Sequence, residues 1–205
     1  LQLVDEVTQS FYTDTERYYL LGNSNGGSMA QRLGCDFSDR FAAVAILIYQ
    51  MPPGHACGPK SPLPMFHYYG DRDDGVPPDG LPSAYGWIYT SAEENTRRWA
   101  ETMGCRGDPI PWSTPLTMRH GLRCEAYVDC SLNQEEVVSC GDPTAGHEWQ
   151  GQRVQTIPAN CVKAVQQQDF PSQPACPDIS LGDEQWGMDV VWQFFSRYSL
   201  SARFP

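Results

Sequence analysis

The chain has 205 residues, enough for one domain with a substantial hydrophobic core. Its 14 basic and 25 acidic residues give a formal net charge of −11, which argues against nucleic acid or an anionic membrane as a partner. No apolar run reaches the roughly 18 residues that a membrane-spanning helix needs, so the sequence predicts no membrane span.

The cysteine content points to an oxidising compartment. The chain has 8 cysteines and no Cys-x-x-Cys pair, a pattern that favours disulfides over a zinc site or a redox motif. We therefore expect an extracellular protein. The first residues, LQLVDEVTQSF, have neither the basic region nor the cleavage site of a secretory signal peptide, so we expect a mature chain or a piece of one.

The first half of the chain alternates between helical and strand-like patterns. Apolar residues on one face predict a short helix over 1–11. Apolar runs predict buried strands over 18–21, 41–49 and 64–69, and a helix is predicted over 28–33. Strand, helix and strand at this spacing form a βαβ unit, which predicts an α/β fold with a mostly parallel sheet.

The second half contains one well-marked helix and several less regular segments. Ser91 is the expected N-cap of a helix that runs to residue 103 and stops at Gly104. The 109–140 region is irregular, with candidate strands over 122–128 and 136–139, and 142–151 is a loop. We interpret 154–183 as an irregular segment held by a disulfide, and an apolar helix is predicted over 186–198.

The strongest motif lies between the first strand and the second helix, in the sequence YYLLGNSNGGSMA. Gly22, Ser24 and Gly26 have the G-x-S-x-G spacing of a nucleophile elbow. We expect both glycines to allow a close backbone approach that a Cβ would block. The N–H of Asn25 would lie at the helix N-terminus and could donate to the oxyanion formed when Ser24 attacks a carbonyl. A glycine-rich turn in another α/β fold is the alternative.

A nucleophilic serine on such a turn needs an acid and a histidine from later loops. Asp73 follows the predicted 64–69 strand, and His147 lies in a glycine-flanked loop after the 136–139 strand. In this interpretation His147 takes the proton of Ser24, while Asp73 orients the imidazole and stabilises its charged form.

Other residues compete for these roles. Asp71 and Asp74 stand beside Asp73, and either could be the acid, or all three could be solvated loop residues. The other three histidines are less suitable as the catalytic base because of their positions among the predicted elements. They are His55, His67 and His120.

Aromatic residues near these motifs are ambiguous. Trp149 could line a substrate pocket, but a core tryptophan is equally consistent with the sequence. Tyr85, Trp87 and Tyr89 alternate in a proline-rich stretch. They could form an aromatic platform for a polymer, or they could be half-buried loop anchors.

The motifs together resemble one family of enzymes. The segments GNSNGGSMA and DFSDRFAAVA resemble the elbow and following strand of the secreted polyhydroxybutyrate depolymerase and feruloyl esterase group of α/β-hydrolases. PMFHYYGDRDDGVP is similar to the acid segment of that group, with Asp73 at the acid, and GHEWQG is similar to its histidine segment. The SAEENTRRWAETMGC helix and the closing WQFF helix also resemble it, so the similarity covers nearly the whole chain.

The resemblance implies a secreted serine esterase with the α/β-hydrolase fold, needing no metal or organic cofactor. Its substrates would be hydroxyalkanoate polyester, or feruloyl or acetyl esters of plant polysaccharide, and the substrate could be polymeric. Members of the group have further strands before the elbow, so we expect 1–205 to be a single domain that is incomplete at its N-terminus, with a separate chain as one source of the missing half. The alternatives are a non-catalytic extracellular structural or carbohydrate-binding component and a serine peptidase on the same fold.

The resemblance also implies one disulfide, Cys105–Cys130. The other pairs follow only by elimination: Cys124–Cys140 on neighbouring strands, Cys35–Cys57 beside the elbow helix, and Cys161–Cys176 within the irregular segment.

Overall fold

The computed structural model describes residues 1–55, 57–131, 136–149, 168, 171–172 and 186–203. The predicted irregular segment 154–183, including Cys161 and Cys176, lies outside the described residues except at residues 168 and 171–172.

The described elements alternate between helices and strands over most of the chain. The helices are α1 Gln2–Ser10, α2 Asn25–Asp36, α3 Ala92–Thr102, α4 Pro115–Arg119, α5 Trp186–Phe195 and α6 Leu200–Arg203, with a 3₁₀ turn at Ser38–Arg40. The strands are β1 Tyr19–Asn23, β2 Ala43–Leu47, β3 Met65–Gly70, β4 Ile110–Trp112, β5 Arg123–Tyr127 and β6 Val137–Asp142.

The six strands form one sheet in the order β1-β2-β3-β6-β5-β4. The first four strands in that order are parallel, and β5 and β4 are antiparallel additions at the far side. The predicted α/β fold with a mostly parallel sheet is therefore confirmed. Because the carboxyl ends of parallel strands meet at one edge of a sheet, the loops after β1, β3 and β6 come together there.

Both faces of the sheet are covered. Alternate residues of β2 belong to two different hydrophobic cores, Ala43, Ala45 and Leu47 to one and Val44 and Ile46 to the other. The first core is completed by α5 and the second by side chains of α2 and α3. Burial on both sides explains why the central strands are continuous apolar runs rather than alternating ones.

The third helix begins and ends as its sequence predicts. The Ser91 hydroxyl accepts a hydrogen bond from the Glu94 N–H at 3.0 Å, which caps the helix start. Gly104 follows the helix with a φ of 69°, a conformation that favours glycine. Trp99 is fully buried on the inner face, and its indole N–H donates to the Leu63 carbonyl at 2.9 Å.

Several predicted boundaries were wrong. The 41–49 run stays buried throughout, but β2 ends at Leu47 because Ile48 has a φ of 46°, which turns the chain. Strand β6 runs to Asp142, beyond the predicted 136–139. Helix α2 begins at Asn25 rather than residue 28, and the last apolar helix ends at Phe195 rather than residue 198. The short elements β4 and α4 were not predicted.

Three disulfides are present in the described residues, and they join pairs that the sequence analysis named. Cys35–Cys57 links α2 to the loop after β2, and Cys105–Cys130 links the end of α3 to the segment after β5. Cys124–Cys140 joins directly opposed residues of the antiparallel strands β5 and β6.

The first helix packs less closely than its pattern suggests. The predicted apolar face of α1, with Leu3 and Val7 and the adjoining Phe11, is exposed in the structure.

None of the helices in the described parts of the chain is long and apolar enough to cross a membrane.

Candidate active site

The candidate site is built around the turn between β1 and α2. Ser24 is the N-cap of α2 and has φ 52° and ψ −120°, a backbone conformation that costs a non-glycine residue about 1–3 kcal/mol. Two backbone hydrogen bonds hold it: Ser24 N–H donates to the Leu47 carbonyl at 2.9 Å, and Ser28 N–H donates to the Ser24 carbonyl at 3.1 Å. This is the geometry of a nucleophile elbow.

The three glycines of the turn differ in what they do. A Cβ at Gly22 would lie 1.9 Å from the carbonyl oxygen of Gly26, so only glycine fits at that position. A Cβ at Gly27 would lie 2.9 Å from the Cβ of Tyr49, so this glycine lets α2 approach the residues after β2. A Cβ at Gly26 would meet nothing within 4 Å. The expectation that both motif glycines exclude a Cβ was therefore wrong for Gly26: its backbone makes the close approach, and its Cα faces open space.

The structure brings Ser24, His147 and Asp73 together. Ser24 Oγ lies 2.8 Å from His147 Nε2, and His147 Nδ1 lies 2.8 Å from Asp73 Oδ2. If Nδ1–H donates to the carboxylate, Nε2 is the acceptor for the Ser24 hydroxyl. The serine, the imidazole and the carboxylate thus form a continuous hydrogen-bonded chain, as a catalytic triad requires.

The carboxylate of Asp73 is held on both of its oxygens. Its side chain is 1% exposed, and Oδ1 accepts hydrogen bonds from the N–H groups of Gly75 at 2.9 Å and Val76 at 2.7 Å. These donors satisfy a buried charge that would otherwise be costly. They also leave Oδ2 aimed at the imidazole.

The neighbouring acids that sequence alone could not exclude occupy other positions. The Asp71 carboxylate pairs with Arg123. Asp74 is exposed, and its carbonyl accepts a hydrogen bond from Ala84 N–H at 2.7 Å. Asp73 is thus the acid of the three that contacts His147.

The surroundings of His147 favour the charged form of its imidazole. The hydrogen bond to Asp73 raises the pKa of His147 above its ordinary 6.5. Partial burial opposes this shift, and the charges of Asp73, Asp74 and Glu148 add to it.

The other histidines whose surroundings are described lie in different environments. His67 is fully buried inside β3, and burial lowers its pKa to about 4. It is therefore neutral near pH 7, with Nε2 3.0 Å from the Tyr49 carbonyl oxygen. The ring of His120 stacks on Trp186 at a centroid distance of 4.0 Å.

Asn25 and Trp149 were the remaining predicted site residues. Asn25 is the first residue of α2, and the N–H groups of a helix's first turn have no intrahelical partner, so the Asn25 N–H is a candidate donor to an oxyanion beside Ser24. Trp149 is 3% exposed and packs edge-on against Tyr68 at a centroid distance of 4.4 Å. Its burial fits the core alternative that the sequence left open.

Sequence reasoning missed Asp142, which positions the histidine loop. Its buried carboxylate accepts from the Tyr68 hydroxyl at 2.9 Å and from the N–H and hydroxyl of Thr144 at 2.8 and 2.7 Å. The backbone joins the two loops as well, because Asp71 N–H donates to the Asp142 carbonyl and Arg72 N–H to that of Ala145, both at 2.9 Å. An aspartate at a strand end with a threonine two residues later is the sequence signal for this turn.

The described residues contain no group of three or more histidine, cysteine, aspartate or glutamate side chains placed to hold a metal ion.

Comparison with known proteins gives two esterase-named relatives. The chain is 30% identical over 135 residues to feruloyl esterase B of Piromyces equi, an alignment that covers 62% of this chain and 24% of that protein. It is 41% identical over 83 residues to "Putative esterase NocK" of Nocardia uniformis subsp. tsuyamanensis, covering 40% of this chain and 24% of that protein. The matched part thus spans about a quarter of either relative's length. No family model matches the chain.

The contrast between the motif glycines can be tested by adding one methyl group at each. Gly22→Ala should lower the free energy of unfolding by about 3 kcal/mol or more, because the new Cβ overlaps the Gly26 carbonyl. Gly26→Ala, the matched control, should change it by less than about 1 kcal/mol, since its Cβ enters open space. Urea denaturation of both variants measures this. Equal losses would contradict the described turn.

The His147–Asp73 contact predicts a measurable pKa difference. An NMR titration of the His147 ring protons should give a pKa above 6.5, because the Asp73 carboxylate stabilises the charged imidazolium. In Asp73→Asn that pKa should fall, since the neutral amide no longer does so. Asp74→Asn is the matched control and should lower it less, because Asp74 acts only through its charge. A larger drop in Asp74→Asn would show that the wrong acid has been assigned.

Proposed function

We propose that this chain is the triad-bearing part of a serine esterase, which hydrolyses carboxylic esters through an acyl-Ser24 intermediate. The observation that carries the proposal is the hydrogen-bonded chain from Ser24 Oγ through His147 to the buried carboxylate of Asp73, set on a strained turn. A turn that costs free energy and points a serine at a histidine has a ready explanation in catalysis. The two esterase-named relatives support the same reaction class.

The first half of the proposed reaction forms the acyl-enzyme. Ser24 Oγ attacks the ester carbonyl carbon while His147 Nε2 takes the hydroxyl proton. The Asn25 N–H donates to the developing oxyanion. As the intermediate collapses, the carbon–oxygen bond to the alcohol breaks, and His147 returns its proton to the leaving oxygen. Asp73 holds Nδ1–H throughout and stabilises the imidazolium.

The second half uses water as the nucleophile. His147 Nε2 takes a proton from water, whose oxygen attacks the acyl carbon. The proton then returns to Ser24 Oγ as the acid leaves. Both halves need only groups of the protein and water, so the proposal includes no cofactor.

The finer parts of the proposal concern fold family, location and completeness. Three features support the α/β-hydrolase fold: the elbow, the parallel sheet, and the order Ser24, Asp73, His147 along the chain. The three disulfides support a secreted protein. β1 pairs with β2 alone among the described strands, and we propose that a further strand, from this protein or another chain, pairs with β1. A loop of that additional part would supply the second oxyanion donor.

A serine-directed probe tests the proposed function. A fluorophosphonate should label the protein and stop its hydrolysis of p-nitrophenyl acetate, because it phosphonylates an activated serine. Ser24→Ala should lose the labelling and at least about 10³-fold of the turnover. Ser10→Ala, an exposed serine at the end of α1, is the matched control and should behave as the wild type. A folded wild-type protein with no labelling and no turnover would favour the non-catalytic alternative.

A further inference from the structure

Two strained residues meet at the candidate nucleophile. Among the described residues, Ser24 and Ile48 are the only non-glycine residues with a positive φ, at 52° and 46°. They adjoin through Leu47, whose carbonyl accepts the Ser24 N–H at 2.9 Å and which precedes Ile48 in the chain. A β-branched residue in this conformation is an outlier, and such strain persists only where neighbouring contacts hold it. The turn at Ile48 therefore needs an explanation in its contacts.

Strand β3 holds this turn through two consecutive residues. The N–H of Ile48 donates to the Tyr68 carbonyl at 2.7 Å. The next carbonyl along the turn, that of Tyr49, lies 3.0 Å from Nε2 of His67. Since a carbonyl can only accept, Nε2 carries the hydrogen and donates it. A backbone acceptor and a side-chain donor of β3 thus fix the chain on both sides of the strained residue.

The surroundings of His67 select the tautomer that makes this contact. The ring is fully buried and neutral near pH 7, so with the hydrogen on Nε2 its Nδ1 is an acceptor. The hydroxyl oxygens of Ser139 and Thr96 each lie 3.4 Å from Nδ1. Thr96 already donates its hydrogen to the Ala92 carbonyl at 2.7 Å, which leaves the Ser139 hydroxyl as the donor to the ring. The contacts on both nitrogens therefore agree.

The elbow helix packs on the same turn. A Cβ at Gly27, in the first turn of α2, would lie 2.9 Å from the Cβ of Tyr49 and 3.2 Å from the Leu47 carbonyl oxygen. The positions of Leu47 and Tyr49 therefore set how closely α2 approaches the sheet. Because Ser24 is the N-cap of α2 and bonds to Leu47, a shift of the turn would move its hydroxyl relative to His147.

We propose that His67 is a positioning residue of the candidate esterase site: by holding the Tyr49 carbonyl, it fixes the turn on which the Ser24 elbow rests. In this proposal His67 contacts no substrate and acts only through the backbone of 47–49. It gives a role to a buried histidine that the proposed reaction does not use. The effect on turnover rests on the proposed function, but the effect on the elbow can be measured without turnover.

The first measurement is hydrogen exchange by NMR, which needs no substrate. His67→Leu removes the donor to Tyr49, so the Ser24 N–H should exchange about tenfold faster, as expected from losing one buried hydrogen bond. The experiment is done under native conditions, where local openings dominate exchange. Amides paired between β5 and β6 lie elsewhere in the sheet and should change less. A local effect of this kind separates positioning from a general loss of stability.

Two amide side chains make a matched pair at this position. The side-chain nitrogen in His67→Gln lies as many bonds from Cα as Nε2 does, whereas the shorter side chain in His67→Asn reaches only the place of Nδ1. His67→Gln should therefore keep slow exchange at Ser24, and His67→Asn should behave as His67→Leu does. Ser139→Ala removes a contact from the other ring nitrogen and should leave exchange at Ser24 as in the wild type.

The second measurement is catalytic. His67→Leu and His67→Asn should slow fluorophosphonate labelling and lower kcat for p-nitrophenyl acetate by about tenfold, with a smaller change in KM, because the nucleophile is displaced while substrate contacts remain. His67→Gln should restore both rates. Urea denaturation should show that each variant is folded under the assay conditions.

Five results would overturn the proposal: wild-type exchange at Ser24 in folded His67→Leu, equal acceleration at Ser24 and between β5 and β6, no rescue by His67→Gln, the same acceleration in Ser139→Ala, or unchanged kcat where Ser24 exchanges faster. If His67→Leu does not fold, His67→Asn against His67→Gln makes the same comparison. A wild-type protein with no labelling and no turnover would contradict the proposed function, and hydrogen exchange would still decide the role of His67.

Discussion

The candidate site depends on one close backbone contact, between Gly22 at the end of β1 and Gly26 in the first turn of α2. It lets the chain reverse so sharply that Ser24 takes a left-handed φ of 52°, held by a hydrogen bond from its N–H to Leu47 in the next strand. Without that reversal the serine would continue along the sheet, away from the imidazole. The strain is sustained because β2, buried on both faces, fixes the acceptor.

The second requirement is that two loops meet above the serine. β3 and β6 are adjacent parallel strands, so the loops that carry Asp73 and His147 leave the sheet at the same edge. Backbone hydrogen bonds between the loops and the buried carboxylate of Asp142 then set their relative position. The 2.8 Å contacts of His147 therefore follow from sheet topology, with local capping fixing the final geometry.

Several of these features could be predicted from the sequence because they depend on neighbouring residues in the chain. The elbow motif, the Ser91 cap and the buried apolar runs are local patterns of this kind, and the structure agrees with them. The ends of the strands were harder to predict. Apolar side chains stay buried past Leu47, although β2 ends there because the backbone turns at Ile48. The antiparallel β4 and the role of Gly27 depend on contacts distant in the chain, which a one-dimensional pattern does not record. Thr144 marks the turn at Asp142 in the sequence, but the hydrogen bond from Tyr68 to Asp142 is again a contact between distant residues. The sequence also did not predict that Tyr85 is 71% exposed while Tyr89 is half-buried against Tyr49, because both residues lie in the same alternating stretch.

The proposed reaction requires that Ser24 form a covalent bond to the acyl group. The direct measurement is rapid mixing with a chromogenic ester, acid quenching within the first turnover, and peptide mapping by mass spectrometry. We expect a burst of released alcohol and an acyl group on the peptide that contains Ser24. Turnover with no acylated peptide, or with the acyl group on another residue, would contradict it.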